Sequence, residues 1–267
     1  MKIFLISKRL LYFCLILLLL FVLLYFAFYN LPNDVITTLS NIISSEQIDI
    51  KLNNITSSKE KIAYLTFDDG PSSHLTPKIL DILKAENIKA SFFVIGKYVD
   101  IHPDIVKRAY EEGHFIANHS YSHNNNSLYK NSEVFINEIK KTDLAIGNAI
   151  GINNYSSHIF RFPNGYSSSI HKSEKKKVVN SLQDINYAYV DWNCLNNDSM
   201  KKYSNTDLLN NLKNTCKNKT GLIILMHDSG DVNDTSLVLK DSISYLKSEG
   251  YKFENFYKII NQEDLIS

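Results

Sequence analysis

The sequence has little cysteine and no excess of charge of either sign. Three cysteines in 267 residues cannot support a disulfide-dense scaffold. Lysine and arginine number 29 against 28 aspartates and glutamates, so the basic excess typical of nucleic-acid binders is absent. Disorder is excluded as well, because 12% of the residues are aromatic and apolar blocks recur along the chain. The sequence therefore predicts a globular protein without internal repeats and without a nucleic-acid partner.

The charges are distributed unevenly along the chain. Lys2, Lys8 and Arg9 precede any acidic residue, and residues 10–29 carry no charge. As a helix, a run of this length covers the roughly 30 Å hydrocarbon core of a bilayer. The basic residues before it favour a cytoplasmic amino terminus. A cleaved signal peptide is the alternative, but its apolar core is usually shorter and ends in a small-x-small site, which is lacking here. We predict a cytoplasmic basic cap over residues 1–9 and an uncleaved transmembrane anchor over 10–29. The protein would then cross the cell membrane once, with its carboxyl-terminal domain outside the cell.

The exported part is predicted to have two sections. Residues 30–60 are rich in Asn, Ser, Thr and Ile, and we interpret them as a polar stalk with one weak helix near 33–44. In residues 61–267, short apolar runs alternate with amphipathic stretches, which predicts an α/β domain with a parallel sheet or barrel. Strands are expected at 62–67, 90–95, 115–118, 159–162, 187–191 and 222–226. Helices are expected at 77–86, 103–112, 132–146, 174–183, 206–217 and 236–249.

Polar side chains lie where these predicted strands end. The carboxyl ends of parallel strands carry the catalytic loops of such folds, so we expect these side chains to meet. They are Asp68 and Asp69 after the first strand, His119 and His123 after the third, Arg161 and Asp191 at the ends of the fourth and fifth, and His227 after the sixth.

Two histidines and a carboxylate of this group can form a metal site. The segment HSYSH sets His119 and His123 four residues apart, so both imidazoles can face one point from a helical turn or a tight loop. In TFDDGP, either Asp68 or Asp69 can bind the metal while the other acts as a base. Three protein ligands leave positions open for water and substrate. Two solvated histidines and a plain acidic turn are the alternatives when each motif is taken alone.

The five segments TFDDGP, HSYSH, RFPNG, DWN and LMHD, in this order, resemble the five motifs of the NodB-like polysaccharide deacetylases, carbohydrate esterase family 4. The resemblance extends from about residue 61 to the carboxyl terminus. It implies a distorted, incomplete (β/α) barrel. It also implies a hydrolase that removes acetyl groups from the amino sugars of a polysaccharide.

The resemblance assigns roles within the first three motifs. Asp69, His119 and His123 would hold a divalent metal, usually zinc, which polarises the acetamide carbonyl and activates a water. Asp68 would be the base that takes a proton from that water. Arg161 would orient this base with its planar guanidinium.

Other residues would contact the substrate. Asn164 stands where many members of the family carry tyrosine, and its backbone N–H would still face the oxyanion. Tyr166 would replace the ring contact with the sugar that is lost there. Trp192 and Leu225 resemble residues that form a pocket for the acetyl methyl group.

His227 resembles the general acid that protonates the departing amine. Asp191 is expected to fix the tautomer of His227 and to raise its pKa, whereas Asp198 is interpreted as structural. Cys194 and Cys216 both lie in the exported part. A disulfide between them is compatible with that compartment, but the sequence does not decide whether it forms.

The predicted substrate is peptidoglycan, because an anchored, exported domain lies next to the polymers of the cell envelope. A deacetylase of another glycan is an alternative: a chitin-like polymer, an exopolysaccharide or an O-acetylated xylan. A catalytically silent carbohydrate-binding protein with the same fold is another. A third is an iron oxygenase with two histidines and one carboxylate, although such sites usually carry a His-x-Asp/Glu pair. Here the acid precedes the histidines by 50 residues. No oligomeric state is predicted.

Overall fold

A computed structural model of the chain describes residues 13, 16–21, 43–230 and 232–266. The chain divides into two compact units, residues 1–42 and 43–267. The described residues of the first unit are helical and expose apolar side chains. Most of the predicted anchor lies outside the described residues, as do the basic cap and the first part of the predicted stalk with its weak helix. Within the described part of the chain, no helix is both long and apolar enough to cross a membrane.

The second unit alternates strands and helices. The strands are β1 (Ile62–Asp68), β2 (Ser91–Val94), β3 (Phe115–Asn118), β4 (Ile159–Phe160), β5 (Ala188–Tyr189), β6 (Cys194–Leu195), β7 (Gly221–His227) and β8 (Lys252–Glu254). The α-helices are α1 (Ser45–Thr56), α2 (Thr76–Ala85), α3 (Gly96–Ile101), α4 (Pro103–Glu111), α5 (Asn125–Leu128), α6 (Ser132–Ile150), α7 (Lys172–Val178), α8 (Asn205–Cys216) and α9 (Ser236–Ser248). Short 3₁₀ helices cover Val179–Ile185, Phe256–Lys258 and Gln262–Leu265.

The strands form one sheet in the order β5-β4-β3-β2-β1-β7-β6. Every ladder found between its described strands is parallel. β8 pairs with the first half of β1, on the side that β2 occupies along the second half. The central strands β1 and β7 are nearly continuous apolar runs, as expected for parallel strands with both faces covered. The predicted parallel α/β sheet is confirmed. Among the described strands no ladder joins β5 to β6, so the sheet stays open.

Each strand and helix predicted after residue 60 overlaps with an observed one. The helix predicted at 174–183 consists of α7 and the 3₁₀ helix that follows it. The sequence did not predict β6, β8, α3 and α5, because elements of two to six residues are too short to show a periodicity.

Helix α1 belongs to the domain, although the sequence suggested a polar stalk up to residue 60. Ile48, Leu52 and Ile55 are buried, and the helix contacts both β5 and β7. These three residues recur at helical spacing among polar neighbours, so a narrow apolar stripe is hidden in a polar composition. The compact unit begins at Ile43, which corrects the predicted domain start at residue 61.

A disulfide joins one edge of the sheet to a covering helix. Cys194 of β6 is bonded to Cys216, the last residue of α8, and their Cα atoms are 5.3 Å apart. Both residues are buried. The bond restrains the loop that follows β6, and this loop carries Asp198 into the site described below.

Two isoleucines of α1 test whether this helix is part of the folded domain. Ile48 is fully buried, whereas 55% of Ile50 is exposed on the same helix. We expect Ile48→Ala to lower the free energy of unfolding by about 2–5 kcal/mol, because it leaves a cavity. Ile50→Ala should change it by less than about 0.5 kcal/mol. Urea unfolding followed by circular dichroism measures both, and equal effects of the two variants would contradict the assignment of α1 to the domain.

Candidate active site

The predicted polar residues meet around a cavity of about 300 Å³ at the carboxyl end of the sheet. β1, β3, β4 and β7 all deliver residues to this edge. The predicted residues that line the cavity are Asp68, Asp69, His119, His123, Asn164, Trp192, Leu225 and His227. Arg161, Asp191 and Tyr166 are absent from the lining.

Asp69, His119 and His123 form a cluster in which one potential ligand atom from each residue lies within 4.8 Å of the other two. Asp69 Oδ1 is 3.3 Å from His119 Nε2 and 3.2 Å from His123 Nε2. This buried oxygen has no hydrogen-bond partner among the described residues. His119 Nδ1 lies 2.8 Å from the carbonyl oxygen of Arg161, so a neutral ring carries its proton on Nδ1 and directs the Nε2 lone pair at Asp69. One carboxylate and two imidazoles converge as acceptors, which is a donor set that fits a divalent metal.

The three members of the cluster shift one another's pKa values. Burial opposes ionisation of Asp69, but the electrostatic interactions with His119, His227 and His123 outweigh burial and hold its pKa below the ordinary value. Burial also lowers the pKa of His119, but Asp68 and Asp69 outweigh it and raise that pKa. For His123, burial and the neighbouring His119 lower the pKa to about 4. His123 is therefore a neutral imidazole at neutral pH, which is the form that binds metals.

A tight loop after β3, rather than a helical turn, presents the two histidines. Glu138 of α6 fixes this loop, because its Oε2 accepts hydrogen bonds from the backbone N–H groups of Tyr121 at 3.1 Å and Ser122 at 2.8 Å. His123 adopts a left-handed conformation with φ of +54°. Such backbone conformations are costly outside glycine and cluster at functional sites. The loop geometry brings both imidazoles to one point, as the sequence predicted.

Arg161 and Asp68 form a buried ion pair behind the cluster. The Nη1 of Arg161 donates to Asp68 Oδ1 at 2.8 Å and to Thr66 Oγ1 at 2.7 Å, and its Nε donates to the carbonyl of Val190 at 3.1 Å. The guanidinium also lies 3.9 Å from the ring centre of Phe93. Asp68 is thereby held at the end of β1, with its Oδ2 facing His119 Nε2 at 3.9 Å.

The prediction that Asp191 orients His227 is wrong, because Asp198 does so. His227 Nδ1 lies 2.7 Å from Asp198 Oδ1, and the His227 backbone N–H donates to Asp198 Oδ2 at 2.8 Å. Thr235 and Asn233 also bond to Asp198, through its carboxylate and its carbonyl oxygen, respectively. Burial lowers the pKa of His227, but the hydrogen bond and charge of Asp198 outweigh it and raise this pKa to about 9. The sequence offers no spacing rule for this pair, since Asp198 lies in an irregular loop that the disulfide restrains.

Asp191 instead holds the loop that follows Arg161. Its two carboxylate oxygens accept the backbone N–H groups of Tyr166 and Ser167, each at 2.8 Å. This loop turns at Asn164 and Gly165, with φ of +63° and +76°. A Cβ on Gly165 would lie 2.8 Å from the Trp192 ring, so glycine allows the loop to approach the cavity wall.

The structure also corrects the role predicted for Tyr166. Its ring packs against Phe162 and Tyr189, with centroids 5.1 and 4.6 Å apart, and does not line the cavity. Two apolar side chains that the sequence reasoning missed line the cavity instead. Ile170 is 51% exposed and Met200 is 73% exposed. A lone apolar residue within an otherwise polar loop is the signal that could have identified them.

The sequence profile of the family described as polysaccharide deacetylase matches residues 56–190. The peptidoglycan-N-acetylglucosamine deacetylase of Bacillus cereus is 34% identical over 227 residues, which cover 81% of this chain and 78% of that protein. The peptidoglycan-N-acetylmuramic acid deacetylase PdaA of Bacillus subtilis is 30% identical over 207 residues, covering 78% and 74%. A Streptococcus mutans CE4 esterase structure matches with a TM-score of 0.67 at 28% identity, covering 82% and 93%.

The open parallel sheet is therefore the incomplete barrel that the five motifs implied, since the same fold is found in a solved CE4 esterase. The profile covers half of the chain, and the curated relatives cover more than two thirds of it. The chain belongs to the polysaccharide deacetylase family and is a hydrolase of that class.

Proposed function

We propose that this protein is a metal-dependent N-deacetylase that acts on the amino sugars of peptidoglycan. The observation that carries the proposal is the convergence of Asp69, His119 and His123 with Asp68 and His227 around one cavity. The relatives from Bacillus cereus and Bacillus subtilis are named for peptidoglycan deacetylation, which supports the choice of polymer.

Asp69, His119 and His123 would hold the metal, and zinc suits a set of one carboxylate and two imidazoles. When bound, the metal supplies Lewis acidity that polarises the acetamide carbonyl and lowers the pKa of a water. Asp68 accepts a proton from the attacking water. Arg161 keeps this carboxylate in one orientation through its bond to Oδ1, so Oδ2 remains directed at the cluster.

His227 donates a proton to the departing nitrogen on the other side of the cavity. Its Nε2 is 4.0 Å from Asp69 Oδ2, so the acid lies next to the proposed ligand set. With a pKa of about 9, His227 is protonated at neutral pH. Asp198 both raises this pKa and fixes Nε2 as the nitrogen that faces the cavity.

The remaining cavity residues position the substrate. Trp192 and Leu225 provide an apolar wall for the acetyl methyl group, and the backbone N–H of Asn164 is assigned to the developing oxyanion. Ile170 and Met200 add exposed apolar surface at the same cavity, where the C–H faces of a sugar can pack. These two side chains take over the contact that the sequence reasoning gave to Tyr166.

We propose that the catalytic domain works outside the cytoplasmic membrane, attached to it by the segment at residues 10–29. The uncharged run of 20 residues with basic residues before it supports this location. The disulfide between Cys194 and Cys216 supports it independently, because such bonds persist in oxidising, exported compartments.

The alternative functions lose support in different ways. An iron oxygenase disagrees with membership of a hydrolase family. A silent binding protein is disfavoured, because base, acid and metal-ligand side chains all reach the same cavity. Deacetylation of a chitin-like polymer, an exopolysaccharide or an O-acetylated xylan uses the same chemistry, so it is separated from the proposal by the substrate alone.

Acetate release from peptidoglycan tests the proposed role of Asp68. We expect the wild type to release acetate, and Asp68→Asn to lower kcat about 10²–10⁴-fold, because the variant lacks the base. Asp241→Asn is the matched control, since this carboxylate is exposed on α9. Mass spectrometry of the digested glycan shows which sugar has lost its acetyl group. Equal release by the wild type and Asp68→Asn would contradict the mechanism.

The buried ion pair between Arg161 and Asp68 is expected to stabilise the fold. Arg161→Met leaves Asp68 buried without its partner, so we expect a loss of about 3–5 kcal/mol in the free energy of unfolding. The control is Arg108→Met, because Arg108 pairs with Asp81 and Glu112 at the surface, where such pairs contribute about 0–1 kcal/mol each. Guanidinium unfolding curves measure both variants. A similar small loss for the two would mean that the buried pair does not stabilise the fold.

The alkaline limb of the pH–rate profile tests which carboxylate orients His227. A general acid must be protonated, so activity falls as the pH rises through the pKa of His227. Asp198→Asn removes the carboxylate that raises this pKa, and the limb should therefore move to lower pH. Asp191→Asn should leave the position of the limb unchanged, because Asp191 bonds to Tyr166 and Ser167. A shift caused by Asp191→Asn and not by Asp198→Asn would reverse the assignment.

A further inference from the structure

A second groove opens from the other side of the proposed metal cluster. It has a volume of about 330 Å³ and shares Asp69 and His123 with the catalytic cavity, so the two spaces meet at the cluster. This groove is lined mainly by polar side chains and includes Lys97, which no step of the proposed mechanism uses. We call it the lysine groove.

Lys97 is held firmly at the groove wall. Its Nζ donates to the carbonyl of Ser122 at 3.1 Å and lies 4.7 Å from the ring centre of Tyr98. The backbone N–H of Lys97 donates to the carbonyl of Tyr121 at 3.0 Å. These contacts attach the side chain to the loop that carries His123. Little side-chain entropy is therefore left to lose when Nζ binds a ligand.

The ammonium of Lys97 is not paired with a carboxylate among the described residues. Within the described part of the chain, no carboxylate lies within ion-pair distance of Lys97, whose two polar contacts are a carbonyl and a ring. The carboxylate in the groove is Asp69, which belongs to the metal cluster. His74 and His102 add further hydrogen-bonding groups to the lining. An anion entering this groove therefore meets a fixed ammonium and no competing acid beyond the cluster itself.

We propose that the lysine groove binds a carboxylate on the substituent of a sugar that neighbours the one undergoing deacetylation. The inference rests on the proposed function. The substrate would then be an amino-sugar polymer whose substituents carry carboxylates, as the lactyl and peptide substituents of peptidoglycan do. The continuity of the groove with the cavity supplies the geometry, and the ammonium of Lys97, which forms no ion pair with a carboxylate of the described residues, supplies the chemistry. Neutral polymers of the chitin or xylan type offer this ammonium no carboxylate.

A matched pair of substrates tests the proposal. One is a soluble peptidoglycan strand with free carboxylates, and the other is the same strand with those carboxylates amidated. The full-length protein in detergent is compared with Lys97→Met, which keeps the apolar stem, and with Lys97→Arg, which keeps the charge. Lys61→Met is the control, because Lys61 also donates to a backbone carbonyl and lies over a tyrosine ring, but at the opposite end of β1 from Asp68. Kd is measured by calorimetry, and KM and kcat by acetate release.

We expect the wild type to bind the acidic strand about tenfold more tightly than the amidated strand, and Lys97→Met to lose this preference. Lys97→Met should raise KM for the acidic strand about tenfold with little change in kcat, because the contact is made equally in the ground and transition states. Lys97→Arg should restore most of the preference, and Lys61→Met should retain it.

If Lys97→Met weakens the binding of both strands equally, or lowers kcat on both, the proposal is overturned. Lys97 would then serve only to support the loop that carries His123. Failure of the proposed function gives a different result. If the wild type releases acetate from neither strand but still prefers the acidic one in Kd, the groove is confirmed as an acid-binding site while the deacetylase assignment fails.

Discussion

The buried ion pair between Arg161 and Asp68 is the interaction on which the rest of the site depends. Removing two charges from water is costly unless further hydrogen bonds and favourable contacts compensate. Thr66, Val190 and the face of Phe93 provide them here. Asp68 ends β1 and Arg161 follows β4, so the pair connects two strands that are separated by β2 and β3 in the sheet. The backbone carbonyl of Arg161 also accepts from His119, so one residue sets both the base and a proposed metal ligand.

His227 and His123 have chemically identical side chains, but their surroundings in the candidate site shift their pKa values in opposite directions. His227 is buried against the carboxylate of Asp198, and its pKa rises to about 9. For His123, burial and the neighbouring His119 dominate, and its pKa falls to about 4. One imidazole is thereby kept as a proton donor and the other as a lone-pair donor at the same pH. Burial, neighbouring histidines and the nearest carboxylate together set these two pKa values.

The sequence predicted the residues of the site better than their contacts. Asp68, Asp69, His119, His123 and His227 could be identified because strand ends in a parallel sheet meet at one edge. The partner of His227 could not, since Asp198 reaches it from an irregular loop whose path depends on tertiary packing.

Two other features were hidden from the sequence for related reasons. The ring of Tyr166 packs against Phe162 and Tyr189 and does not line the cavity, and such neighbours are known only from the fold. Helix α1 was overlooked because three buried residues in a polar segment give a weak periodic signal. Local pattern thus predicted most elements and the strand-end residues, while long-range packing decided the side-chain partners.

The disulfide makes the restraint on the loop that supports His227 depend on the redox state of the compartment. Cys194 and Cys216 close the segment that contains Asp198, so the loop that supports His227 is tied to α8 by a covalent bond. Thiols stay reduced in the cytosol and are oxidised after export. At the location proposed above, the bond would form where a wall polymer is available, and a chain retained in the cytosol would lack the covalent restraint on the loop behind its proposed proton donor. Formation of the bond would then couple maturation of the protein to its export.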